Sequence, residues 1–136
     1  MPSRIRSPLA VIVALAVGGC AAAPRAERFE SATVTATAGE LLPGDAVRVR
    51  RFGTVVFRNA RADAPMDVTV LRPLWPSQPC STMLGFTADG ETSVARGIAA
   101  PAFASLCFHD AGSFPFVVRV AGRELRGTVE VSAEAR

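Results

Sequence analysis

The sequence predicts an all-β sandwich, and three observations carry that reading. Apolar residues recur with a period of two along most of the chain, glycine, proline, aspartate and asparagine clusters punctuate the runs, and no apolar stripe of helical period is present. In chain order, Val47 and Val49 alternate with Arg48 and Arg50, and Val55 and Phe57 follow the turn at Gly53. Val68 and Val70 come next. Phe114, Phe116, Val118 and Val120 form one face of a longer strand, and Val129 and Val131 end the pattern. The turns are read at residues 43–45, 59–65, 88–90, 110–112 and 121–122. Short strands at this spacing suit a sandwich. Residues 72–100, with three prolines and a cysteine in their first nine positions, read as an irregular excursion that could hold a short helical turn.

Composition bounds the function. Of 136 residues, 49% are hydrophobic and the net charge is +3, so neither intrinsic disorder nor a polytopic membrane protein fits. The one long apolar run is N-terminal. Arg4 and Arg6 precede the nine apolar residues 9–17, too few for the ~20 needed to cross a bilayer and suited to a secretory signal. The run ends at Val17, Gly18, Gly19 and Cys20, which resembles a bacterial lipobox. Residues 1–19 are therefore expected to be a lipoprotein signal peptide, Cys20 the lipidated residue, residues 20–32 a flexible tether and residues 33–134 the domain. The alternative is an ordinary signal peptide cut near residues 21–23. Loss of Arg4 and Arg6 lowers the charge from +3 to +1, which leaves no basis for nucleic-acid binding. The expected place is the bacterial cell envelope, lipid-anchored and facing the periplasm.

In such an oxidising compartment Cys80 and Cys107 form an even pair, expected as a disulfide closing a loop of about 27 residues and contributing roughly 3–4 kcal/mol. Two free thiols or thiol ligation of a metal are the alternatives.

The order of elements resembles the cupredoxins, small Greek-key β-sandwiches of the blue-copper type. The likeness rests on residues 43–49 and 53–59 as opening strands, on Pro65-Met66-Asp67-Val68, on residues 108–118, and on Leu125-Arg126-Gly127-Thr128-Val129-Glu130-Val131. It covers about residues 33–132. The resemblance implies a copper site at set positions, and there this sequence departs from it. Met66 stands at the first His, Val118 at the thiolate Cys, Ala121 or Gly122 near the second His, and Leu125 at the axial Met. Type 1 copper needs two imidazoles and a thiolate in a trigonal plane, which Val, Ala, Gly and Leu cannot supply. No cofactor is expected, and one-electron transfer through such a centre is not.

Other chemistry is sparse. Cys107-Phe108-His109 mimics a ligand pair, but the glycine turn follows it, whereas in the resembled family the turn precedes the ligands. Met66, Met83 and His109 are the residues that could make a soft Cu(I) site; as core fillers and a turn residue they need no metal. His109, Asp110 and Ser113 are too close in sequence for a catalytic triad if they lie on a strand, where neighbours face opposite ways, so the chain is read as no enzyme. Arg48, Arg50, Arg51, Arg58, Arg61 and Arg72 either form a patch for an anionic polymer or membrane surface, or lie on solvated sheet faces. Trp75 is either a contact anchor or a cover on the open end of the core. The expected role is a non-catalytic binding or scaffold module whose partners are the membrane, through lipid, and an unidentified envelope protein or anionic polymer. A copper-binding envelope protein with an unusual Met/His site is the alternative.

Overall fold

A computed structural model describes residues 30–73 and 83–133. They form two sheets and no helix. The strands are β1 (Ser31–Ala36), β2 (Leu41–Leu42), β3 (Ala46–Arg50), β4 (Gly53–Asn59), β5 (Met66–Val70), β6 (Thr87–Asp89), β7 (Thr92–Ile98), β8 (Phe103–Phe108), β9 (Gly112–Val120) and β10 (Arg123–Ser132). One sheet has the order β2-β1-β4-β8 and the other β3-β10-β9-β5-β7-β6. The pairs β1·β4 and β3·β10 are parallel and every other pair is antiparallel. This is the all-β sandwich that the alternation predicts.

The alternation turns directly into burial. On β3, Val47 and Val49 are buried while Arg48 and Arg50 are exposed. β5 buries Met66, Val68 and Val70, and β9 buries Phe116, Val118 and Val120. These side chains meet Val34, Val55, Phe57, Ala104, Leu106 and Phe108 of the four-stranded sheet in one core. Phe57 is its hub, edge-on to Phe86 at 5.8 Å and to Phe116 at 5.2 Å between ring centroids. Burying each such side chain contributes about 1.5–3 kcal/mol.

Two local devices shape the sheets. The first is Gly127, which lies across from Phe116 in the β9·β10 ladder. The Phe116 ring lies over this glycine, so an added Cβ would overlap it and come within 2.8 Å of the Asp45 carbonyl oxygen. The glycine of the C-terminal motif thus serves close packing. The second is Asn59, buried at the end of β4. Its Nδ2 donates to the carbonyls of Ala64 (2.6 Å) and Ile98 (2.9 Å), and its Oδ1 accepts from the Arg61 N–H (2.8 Å). One amide side chain closes the loop before β5 and ties it to β7.

The structure departs from the sequence reading in the middle of the chain. Residues 87–98 form the regular hairpin β6–β7, not an irregular excursion. The physical reason is a bulge. Met66 pairs with Ile98 but Val68 pairs with Ala95, so β7 carries one residue more than β5 opposite it. Gly97 sits in the bulge at φ +66°, with its N–H donating to the Asp67 carboxylate at 2.7 Å. The extra residue breaks the period of two on which strand detection depends. β1 also begins two residues before the expected domain start, with Ser31 in register with Thr54.

Replacing Gly127 with Ala is expected to lower stability by about 1–3 kcal/mol through overpacking against Phe116, measured by urea unfolding. Asn59→Ala is expected to cost roughly 2–3 kcal/mol, because one buried and one half-buried carbonyl lose their donor. The same titration would detect it, and a loss below about 0.5 kcal/mol would show that the clamp is dispensable.

Candidate functional site

Met66 opens β5 and lies 1% exposed, opposite Val120 on β9 and Ile98 on β7. Val118, two residues back along β9, pairs with Val68 on one side and with Leu125 on the other. Leu125 is partly buried and packs on the same core. Met66, Val118 and Leu125 therefore all belong to one apolar cluster on the inner face of the six-stranded sheet.

The connection between β9 and β10 is a two-residue turn. Ala121 (φ +50°) and Gly122 (φ +72°) both take left-handed conformations, as a type I′ hairpin requires, and Val120 pairs directly with Arg123. Positions 118 and 125 are thus cross-strand neighbours, locked by the ladder. Outside the core the hairpin is held by charge. Arg119 donates to Glu124 at 3.2 Å, Arg126 also pairs with Glu124, and Arg123 donates to the Ala38 carbonyl at 3.2 Å. The hydrogen bond from Arg119, then the charge of Arg126, holds the Glu124 carboxyl below its ordinary range.

These residues do not fit a type 1 copper ion. Of the four positions the resemblance singles out, only Met66 carries a donor atom, and a trigonal centre needs imidazole and thiolate. Among the described residues no group of three or more His, Cys, Asp or Glu side chains is placed to hold a metal. The soft-donor trio is not brought together either. Met66 lies opposite Val120, at the end of β9, whereas His109 lies just before its start at Gly112. Nine strand residues at ~3.4 Å each separate the two ends by about 27 Å. Met83 is 37% exposed, next to Leu84, which bridges to Ser105 on β8.

The other end of the sandwich gathers the remaining chemistry. β8 stops at Phe108, so His109 and Asp110 are turn residues, and the imidazole Nδ1 meets the Asp110 carboxylate at 3.0 Å. The expectation that these neighbours diverge assumed a strand, and the turn removes it. Ser113 stands apart from them, donating its hydroxyl to Glu130 at 2.7 Å. Cys107 is fully buried on the side of β8 away from the core, in register with Thr54, its sulfur 3.7 Å from the Phe52 carbonyl oxygen. Cys20, Cys80, Trp75 and nearly all of the expected signal and tether lie outside the described residues.

The six arginines do not share one patch. Arg48 is in register with Glu130, Arg50 pairs with Glu30 at 3.1 Å, and Arg61 donates to Asp63 at 2.9 Å. Arg58 lies over the Phe103 ring at 5.7 Å, and Arg51 donates to the His109 carbonyl at 3.0 Å. Arg72 is the exception. It is 3% exposed, its guanidinium 4.9 Å from the centroid of Phe108 and 5.5 Å from that of Phe114. Burial pushes its pKa down, partly offset by the charge of Asp110. Sequence reasoning grouped Arg72 with the surface charges. The signal against that was phase: position 72 continues the inward series 66, 68, 70.

No protein-family model and no curated protein matches the sequence. Solved structures do. An oxidised methionine-to-lysine mutant of amicyanin superposes with a TM-score of 0.51 and 17% identity, covering 75% of this chain and 82% of that one. A methionine-to-alanine mutant of amicyanin in its Cu(I) form gives 0.51 and 19% over the same shares. A reduced tryptophan-to-tyrosine mutant gives 0.51 and 18%, covering 79% and 87%. At such identity the likeness is one of architecture, and by that architecture the chain is a cupredoxin-like Greek-key β-sandwich.

Proposed function

We propose that this chain is an envelope-anchored cupredoxin-like lipoprotein that acts without type 1 copper, as a non-catalytic binding or scaffold module. The observation that carries the reading is the Val118–Leu125 pair. Thiolate and axial positions are filled by apolar side chains that the β9–β10 ladder holds against each other. A non-catalytic role is supported by the site that most resembles catalytic machinery: His109 and Asp110 pair, but the Ser113 hydroxyl serves Glu130 instead. The proposed partners are the bilayer, through lipid on Cys20, and a further envelope protein or anionic polymer on the periplasmic side.

A disulfide between Cys80 and Cys107 belongs to the same reading. Leu84 pairs antiparallel with Ser105, exchanging backbone hydrogen bonds of 3.0 and 2.9 Å. That anchors the chain four residues after Cys80 and two residues before Cys107 along β8, within reach of a bridge. Burial of Cys107 on the outer side of its sheet, away from the core, supports such a partner.

Titration of the intact chain with Cu(II), and with Cu(I) under chelator competition, is expected to give no intense thiolate–copper absorption and no tight stoichiometric uptake. An intense band would overturn the proposal. Mass spectrometry of protein extracted from membranes is expected to find Cys20 N-terminal and acylated, with Cys80 and Cys107 resistant to alkylation until reduced. An unmodified Ala at the N-terminus would remove the anchor, and two labelled thiols would remove the bridge.

A further inference from the structure

Arg72 is anchored by its backbone and unanswered at its tip. Its N–H donates to the Val70 carbonyl at 2.8 Å and its carbonyl accepts from the Ser93 hydroxyl at 3.0 Å. Yet Nε and both terminal nitrogens are buried, and among the described residues no group accepts a hydrogen bond from any of them. The rings of Phe108 and Phe114 face the charge, which answers part of the electrostatics. They do not answer the five in-plane N–H donors, which need acceptors. A buried guanidinium whose N–H groups lack acceptors is costly, and every other charged side chain among the described residues is more exposed.

Position supplies the rest. Phe108 ends β8 and Phe114 lies near the start of β9, so a guanidinium touching both lies beneath the turn of residues 109–112. Asp110, Ala111 and Gly112 on that turn are exposed. Arg51 holds the root of the turn through the His109 carbonyl, and the Asp110 carboxylate is tied to His109 at 3.0 Å rather than to Arg72. The guanidinium thus lies between the ends of the two strands that the turn joins.

We propose that Arg72 is the anchor of a small-molecule site beneath the β8–β9 turn, which takes a monocarboxylate. A carboxylate matches the planar fork with two parallel hydrogen bonds. The rings of Phe108 and Phe114 give a short alkyl group apolar walls. Asp110 repels any anion beside Arg72, and it opposes a phosphate dianion about twice as strongly as a monoanion. The inference does not depend on the copper or lipid readings.

The test uses the intact chain and sodium acetate at constant ionic strength, with sodium phosphate as the second arm. The probe is the Arg72 Nε–H cross-peak, assigned by its absence in Arg72→Met. Acetate is expected to shift this peak saturably and to raise the unfolding temperature. Arg72→Met is expected to weaken the thermal response to acetate about tenfold or more. Asp110→Asn, which removes a competing carboxylate, is expected to tighten acetate binding about threefold in a fold that keeps Arg72. A cross-peak that does not move with acetate, or an Arg72→Met protein stabilised by acetate as much as the parent, overturns the site. Phosphate binding more tightly than acetate overturns the assignment to carboxylates.

Discussion

The register of the β9–β10 hairpin is the constraint on which the rest of the structure depends. Ala121 and Gly122 take a type I′ turn, whose twist matches that of the strands it joins. From that turn the ladder counts outward without slip: 120 against 123, 118 against 125, 116 against 127, 114 against 129. A shift of one residue would send Phe116 and Val118 to solvent and bring Arg119 into the core. It would also move Gly127 out from under the Phe116 ring, and any other residue there would block it. Turn, aromatic and glycine thus specify one register three times over.

The same register decides the chemistry of this end of the sandwich. A metal centre built between strands needs donors that converge on a point and a connection long enough to bend toward it. Here two residues make the connection, and the positions on either side are Val118 and Leu125, facing each other. Met66 completes the cluster as a flexible filler, a use to which a thioether is well suited. Asn59 satisfies two carbonyls close by and thereby fixes the loop that leads into β5. Such an end is apolar and closed, built for stability.

Most of the fold was legible because most strands are half-buried and straight. Val47 and Val49, Val68 and Val70, and the run from Phe114 to Val120 each obey the period of two, and each is buried where the pattern put it, Phe114 only partly. β7 was not legible, since Ser93, Val94 and Ala95 are buried in succession on both faces, and the extra residue at the Gly97 bulge then puts Ile98 out of phase with them. Met66, Val118 and Leu125 were singled out in the sequence, and the structure gathers them in one apolar cluster. That the Met and His donors lie at opposite ends of β9 was not, because separation along a strand is known only once the pairing is known. Arg72 was misread for a different reason. An arginine ordinarily signals exposure, whereas the residue's place in the series 66, 68, 70, 72 points inward.

That last case bears on how the two ends of the molecule divide their roles. At the β9–β10 turn, polar groups are satisfied: Glu124 by two arginines, Arg123 by a backbone carbonyl. At the β8–β9 turn, Arg51 and His109 have partners, and only Arg72 is buried with its donors unmet. Burying a charge without acceptors is destabilising, and an apolar side chain such as Met would fill the space between Phe108 and Phe114 at lower cost. Stability alone therefore does not account for an arginine at position 72. A requirement for a fixed positive fork beneath an exposed turn does, and it places the capacity for recognition at the end of the sandwich opposite the apolar cluster of Met66, Val118 and Leu125.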